Sequence, residues 1–174
     1  MKRTMLSATL ALVGAAALIA VGVAGGAATK SPKLSATPVF KLLLKPSQEV
    51  PPIKGLRADA VGSVTFDLTR TSGTITSGEV IFYFNYKFPA SVNITGLHIH
   101  QAAKGVDNPS FVVDSGVAAF TDADGEGNVT TVVAGTPATL QAILDNPRGY
   151  YVNLHTSANP DGALREQMHN PKKR

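Results

Sequence analysis

Apolar and polar residues alternate in short runs along most of this chain, and few runs carry a helical period. Over residues 63–68, Val64, Phe66 and Leu68 alternate with Ser63, Thr65 and Asp67, the period-two pattern of a half-buried strand. Residues 39–44 form a short apolar run, and residues 79–88 are rich in aromatic and β-branched side chains up to Pro89; both read as strands. Further short strands are predicted at 94–100, 111–113, 117–120, 128–133, 150–156 and 163–168. A turn is expected at 71–73, and another at Asn159-Pro160-Asp161-Gly162. Pro46, Pro51 and Pro52 impose an irregular, extended stretch between the first two strands. One helical segment stands out at 139–144, with Thr136 placed as its N-cap and Pro137 at its first position. Many short strands separated by turn signals predict an all-β fold, an antiparallel, Greek-key-like sandwich or barrel with one short helix.

Two of these strands set a polar, histidine-bearing face against an apolar one. In residues 96–100, His98 and His100 fall on one face and Leu97 and Ile99 on the other. In residues 150–156, Tyr151, Asn153 and His155 share a face opposite Tyr150, Val152 and Leu154. Three of the four histidines therefore lie in two strands. If those strands are neighbours, the imidazoles converge. Neutral imidazole is a common ligand for copper and zinc, so His98, His100 and His155 form a candidate metal site. The competing expectation is structural, with the rings cross-bracing two strands through hydrogen bonds to Asn153, Thr156 and backbone groups, and no metal needed.

The N-terminus bears on location. Lys2 and Arg3 precede an uncharged apolar stretch that ends in small residues near position 28, the marks of a secretory signal. The stretch is also long enough to span a bilayer, so residues 1–28 are expected to be a signal peptide or an N-terminal membrane anchor. Residues 29–38 read as a polar linker, 39–169 as one domain and 170–174 as a basic, solvated tail. There are no cysteines, which excludes disulfides, thiol chemistry and Cys-ligated metals. The net charge of +4 is concentrated at the two ends; without Lys2, Arg3, Lys172, Lys173 and Arg174, eleven basic residues face twelve acidic ones. That balance does not describe a nucleic-acid surface. The acidic run Asp122-Ala123-Asp124-Gly125-Glu126-Gly127-Asn128 places glycine at its fourth position, not the sixth, and reads as a hairpin turn rather than a calcium loop.

Several motifs, taken together and in order, resemble the CHRD domain, which is named from chordin and also occurs in exported bacterial proteins. They are Glu49-Val50-Pro51-Pro52, His98-Ile99-His100, Asn146-Pro147, the segment from Tyr151 to Thr156, and Pro160 and Gly162 followed by Arg165. The resemblance covers residues 39–168 and implies an exported domain. It also brings Glu49 and Arg165 into view as a pair that would clasp the first and last segments, with anion binding by Arg165 as the alternative. The His-x-His strand is similar, over a short stretch, to copper/zinc superoxide dismutase. The expectation is thus a secreted, periplasmic or cell-surface protein that acts as a non-catalytic binding or structural module. Its partner would be an extracytoplasmic protein or surface ligand, with no nucleic acid, and it would touch membrane only through an uncleaved N-terminal segment. The alternative is a His-based copper or zinc protein, with a dismutase-like oxidoreductase as its catalytic form.

Overall fold

A computed structural model describes residues 37–173; the expected signal or anchor and most of the linker lie outside the described residues. Among the described residues, ten strands form two antiparallel sheets. The first sheet comprises β1 (Pro38–Leu44), β2 (Asp59–Thr71), β3 (Thr74–Lys87), β7 (Glu126–Ala134) and β10 (Lys172–Lys173), in the order β10-β1-β2-β3-β7. The second comprises β4 (Val92–Gln101), β5 (Phe111–Asp114), β6 (Phe120–Asp122), β8 (Tyr150–Thr156) and β9 (Asn159–Gln167). Its order is β5-β4-β8-β9, with β6 paired to the start of β4. The chain leaves the first sheet after β3, lays down three strands in the second, and returns as β7 beside β3. That crossing makes the sandwich Greek-key-like.

Alternation decides which side chains fill the space between the sheets. From the first sheet come Phe40, Leu42 and Leu44, then Val64 and Phe66, then Val80, Phe82 and Phe84, all buried. From the second come Ile94, Leu97 and Ile99, then Val152 and Leu154, and Leu164. An irregularity in the β4–β8 register between Ile94 and Gly96 shifts the alternation by one residue, so Ile94 and Leu97 both point inward. The helix α1 (Pro137–Asp145) inserts Leu140 and Ile143 into the same core. Thr136 caps it, accepting from the Thr139 N–H, as its sequence position requires.

Three expectations are corrected. The residues from Asn159 to Gly162 belong to β9, and the turn falls at Ser157–Ala158, where the Thr156 hydroxyl accepts from the Asn159 N–H and closes it. Residues 117–119 are not strand; β6 begins at Phe120. The C-terminal tail is not simply solvated, because Lys172 and Lys173 pair antiparallel with Val39 and Pro38 at the edge of the first sheet.

Candidate functional site

The seven residues of β8 are all buried, on both faces. One face meets the core. The other, bearing Tyr151, Asn153 and His155, lies on the outer side of the second sheet and would be wet if nothing covered it. It is covered by the segment between β4 and β5 and by the turn after β1, where Pro46–Gln48 form one 3-10 turn. Tyr151 fastens the first of these. Its hydroxyl accepts from the Asn108 N–H at 3.2 Å and lies 3.1 Å from Asp107 Oδ1 and 3.0 Å from the Asn108 carbonyl.

Strand pairing brings the three histidines together. His98 and His100 stand opposite Asn153 and Tyr151 across the β4–β8 ladder, and His155 follows two residues along the same face of β8. The ring centroids of His98 and His155 are 4.8 Å apart, and each is 5.6 Å from that of His100. One potential ligand nitrogen from each ring lies within 4.8 Å of the others. Trigonal ligands around a zinc ion at 2.0–2.1 Å stand about 3.5 Å apart, so binding requires the rings to close by roughly an ångström.

Backbone carbonyls fix the protons on two of these rings. His100 Nδ1 donates to the carbonyls of Asn108 (2.9 Å) and Ser110 (3.2 Å). His155 Nδ1 donates to the Pro160 carbonyl at 2.9 Å. A carbonyl only accepts, so each Nδ1 carries the proton and each Nε2 keeps a lone pair. Both Nε2 atoms are buried without a hydrogen-bond partner among the described residues, and so is His98 Nδ1. His98 Nε2 faces Asp114 Oδ1 at 3.6 Å, too long for a direct hydrogen bond but enough to orient the ring. Burial holds His98 down to about 4, helped by the His155 ring and opposed by Asp114. Burial and His155 lower His100 as well. Both rings are therefore neutral near pH 7, the form that ligates.

The walls of the cluster are aromatic. Phe111 stacks on His98 at 4.6 Å and is half exposed, so it separates the histidines from solvent. Tyr151 stacks on His100 at 4.9 Å with the rings nearly parallel. Gly96 leaves the room that His98 occupies: a Cβ there would stand 2.7 Å from the ring's Cε1. Gly162, at φ 140°, does the same for Asn153, whose Nδ2 such a Cβ would strike.

Glu49 and Arg165 lie on this side of the domain, but the expected ion pair between them is not formed. Arg165 is almost fully buried; its Nη2 donates to the Val106 carbonyl at 2.7 Å, and its Nη1 lies 3.7 Å from Asp107 Oδ1. Its guanidinium sits 3.4 Å over the Tyr151 ring. The clasp between first and last segments is made by backbone instead. The Lys45 N–H donates to the Arg165 carbonyl (3.0 Å), and the Arg165 N–H to the Lys45 carbonyl (3.2 Å). Glu49 is buried, and its Oε1 has no hydrogen-bond partner among the described residues. Desolvation raises its carboxyl to about 7 against the pull of Arg165. Asp107 and Tyr151 are the members of this layer that sequence reasoning did not assign a role. Asp107 lies in a loop whose position no local pattern announces, and Tyr151 reads as an ordinary strand aromatic.

Of the expected cross-brace, the bonds to backbone groups are formed, by His100 and His155, whereas none from the histidines to Asn153 or Thr156 is present among the described residues. Asn153 Nδ2 makes a long contact of 3.5 Å to the Asp161 carbonyl, and the Thr156 hydroxyl serves the turn before β9. The acidic run is a turn but not the expected hairpin, because it carries the chain from β6 in the second sheet to β7 in the first. Asp122 Oδ1 accepts from the N–H groups of Asp124 and Gly125, Asp124 Oδ1 accepts from that of Glu126, and Glu126 pairs with Lys87.

No curated protein and no solved structure matches the chain. Residues 40–168 match the profile of the CHRD domain. That span takes in every residue of the layer just described, and the chain belongs to the CHRD domain family.

Proposed function

We propose that this protein is an exported, non-catalytic binding module whose CHRD domain holds a zinc or copper ion through His98, His100 and His155. One observation carries the reading: three imidazoles from two adjacent strands each bring a potential ligand nitrogen within 4.8 Å of the others, and each ring has a buried nitrogen without a hydrogen-bond partner among the described residues. An unpartnered buried polar atom costs about 1–3 kcal/mol, and three in one place are hard to sustain unless something binds them. The Nδ1–H···O=C bonds of His100 and His155 supply the outer support that ligating histidines require. An all-imidazole donor set suits zinc and copper, not magnesium or calcium. The apolar segment behind Lys2 and Arg3 supports export.

Elemental analysis of the purified protein, followed by zinc and copper titration of the chelated protein and of a His98→Gln/His100→Gln/His155→Gln variant, is the test. The expected result is one equivalent of metal bound by the wild type and none by the variant. Equal binding by the two, or none by either, would sink the proposal. Intact-mass measurement of the exported protein tests location separately: a mass lacking residues 1–26 or 1–28 is expected for cleavage.

A further inference from the structure

On the far side of Tyr151 from the histidines, the fold forms a cleft of about 570 Å³. It is lined by the turn after β1, the 104–105 turn and the end of β9. Lys45 and Lys104 stand exposed at its edge, and the buried Arg165 and Glu49 also line it. Both of these buried side chains are incompletely satisfied: Arg165 Nη1 and Glu49 Oε1 lack hydrogen-bond partners among the described residues. Asp107, half-exposed beside Arg165, is the only ion-pair partner of that guanidinium among the described residues.

We propose that this cleft is a binding site for a single carboxylate group presented by an acidic peptide segment of a partner protein. Three cations, Lys45, Lys104 and Arg165, stand against Glu49 and the neighbouring Asp107, leaving an excess of one positive charge with Glu49 ionised and of two with it protonated. That excess draws an anion into the cleft. Arg165 also spends Nη2 on the Val106 carbonyl, so it offers no free two-pronged fork of the kind that favours phosphate. Low-dielectric walls focus the field of a buried, partly compensated guanidinium into the cleft, and the two mobile lysines capture the ligand at its mouth. Burial raises the Glu49 carboxyl to about 7, so near neutrality a large share of it carries a proton and can donate to the incoming oxygen. The site uses none of the three histidines and does not depend on a metal.

The test uses labelled hexaglutamate, hexaglutamine and hexalysine peptides with the mature protein, read by fluorescence anisotropy at low salt. Inorganic phosphate serves as competitor. Saturable binding of hexaglutamate alone is expected, weakened at least about tenfold by Lys45→Glu/Lys104→Glu. The control Lys41→Glu/Arg70→Glu makes the same charge change elsewhere and should leave binding within about twofold. Absence of hexaglutamate binding, equal weakening by both double variants, or displacement of the peptide by phosphate at matching concentration would each overturn the proposal. Zinc or copper affinity measured on the same variants should be unchanged, which separates failure here from failure of the metal site.

Discussion

The two sheets share one core but differ on their outer faces. The first sheet turns Leu43, Val61, Tyr83 and Val132 out to solvent, each exposed by a third or more. The corresponding face of the second sheet carries His100, Tyr151, Asn153, His155 and Arg165, and every one of them is buried. Composition alone would assign the opposite arrangement, with apolar side chains covered and polar ones wet. Scattered apolar residues on an open sheet face are ordinary. A covered layer of histidine, asparagine and arginine is costly unless its atoms are paired, and here several are not. The contrast supports the proposal of a site on the second sheet.

The comparison can be broken at several points, in order of expected effect. Phe82→Ala, in the shared core, should destabilise the domain by about 3–5 kcal/mol in urea unfolding. A smaller loss would mean that the sheets are less tightly joined than their common core requires. On the covered face, zinc or copper at a hundredfold excess over Kd should raise stability by about 2.7 kcal/mol. That gain should disappear in the triple histidine variant and fall away as pH drops toward 4, where His98 takes up a proton and stops ligating.

The metal-free domain should show two opposed pH effects. His98 is held to about 4 in the fold against 6.5 when free, so its contribution is present above pH 6.5 and lost as pH falls toward 4. Glu49 is raised from 4.5 to about 7, so its contribution is present below pH 4.5 and lost as pH rises through 7. Glu49→Gln should therefore stabilise the domain at pH 8 relative to wild type, by on the order of 2 kcal/mol, with little change at pH 4. Thermal melts of the two proteins at both pH values decide it, and a deficit for the variant at pH 8 would mean that the ionised carboxylate has a partner in the fold. Gly96→Ala crowds the His98 ring, so we expect about 1 kcal/mol of destabilisation and weaker metal binding. On the open face of the first sheet, Tyr83→Thr should change stability by no more than about 0.5 kcal/mol.

Much of the fold was legible before any coordinates. Period-two alternation around Val64 and Phe66, the Thr136-Pro137 helix start and the apolar alternates of β8 each report a local choice that tertiary contacts reinforce. The shared face of His98 and His100, and that of Tyr151, Asn153 and His155, followed from the same alternation. Turn placement was weaker: Pro160 and Gly162 look like a turn, but β9 accommodates both, and Ser157–Ala158 reverse the chain.

The sequence by itself determined strand faces, because alternation is a property of the extended backbone. It determined that thiol chemistry is absent, and it placed three histidines on two strands. Only the tertiary structure decided that β4 and β8 are neighbours, since strand pairing joins residues 49 to 62 positions apart and leaves no local trace. It also decided that the 101–111 segment covers the polar face, that backbone carbonyls fix the imidazole protons, and that Arg165 meets Asp107 and Tyr151 rather than Glu49. Those contacts depend on where a loop comes to rest, which packing settles and sequence pattern does not encode.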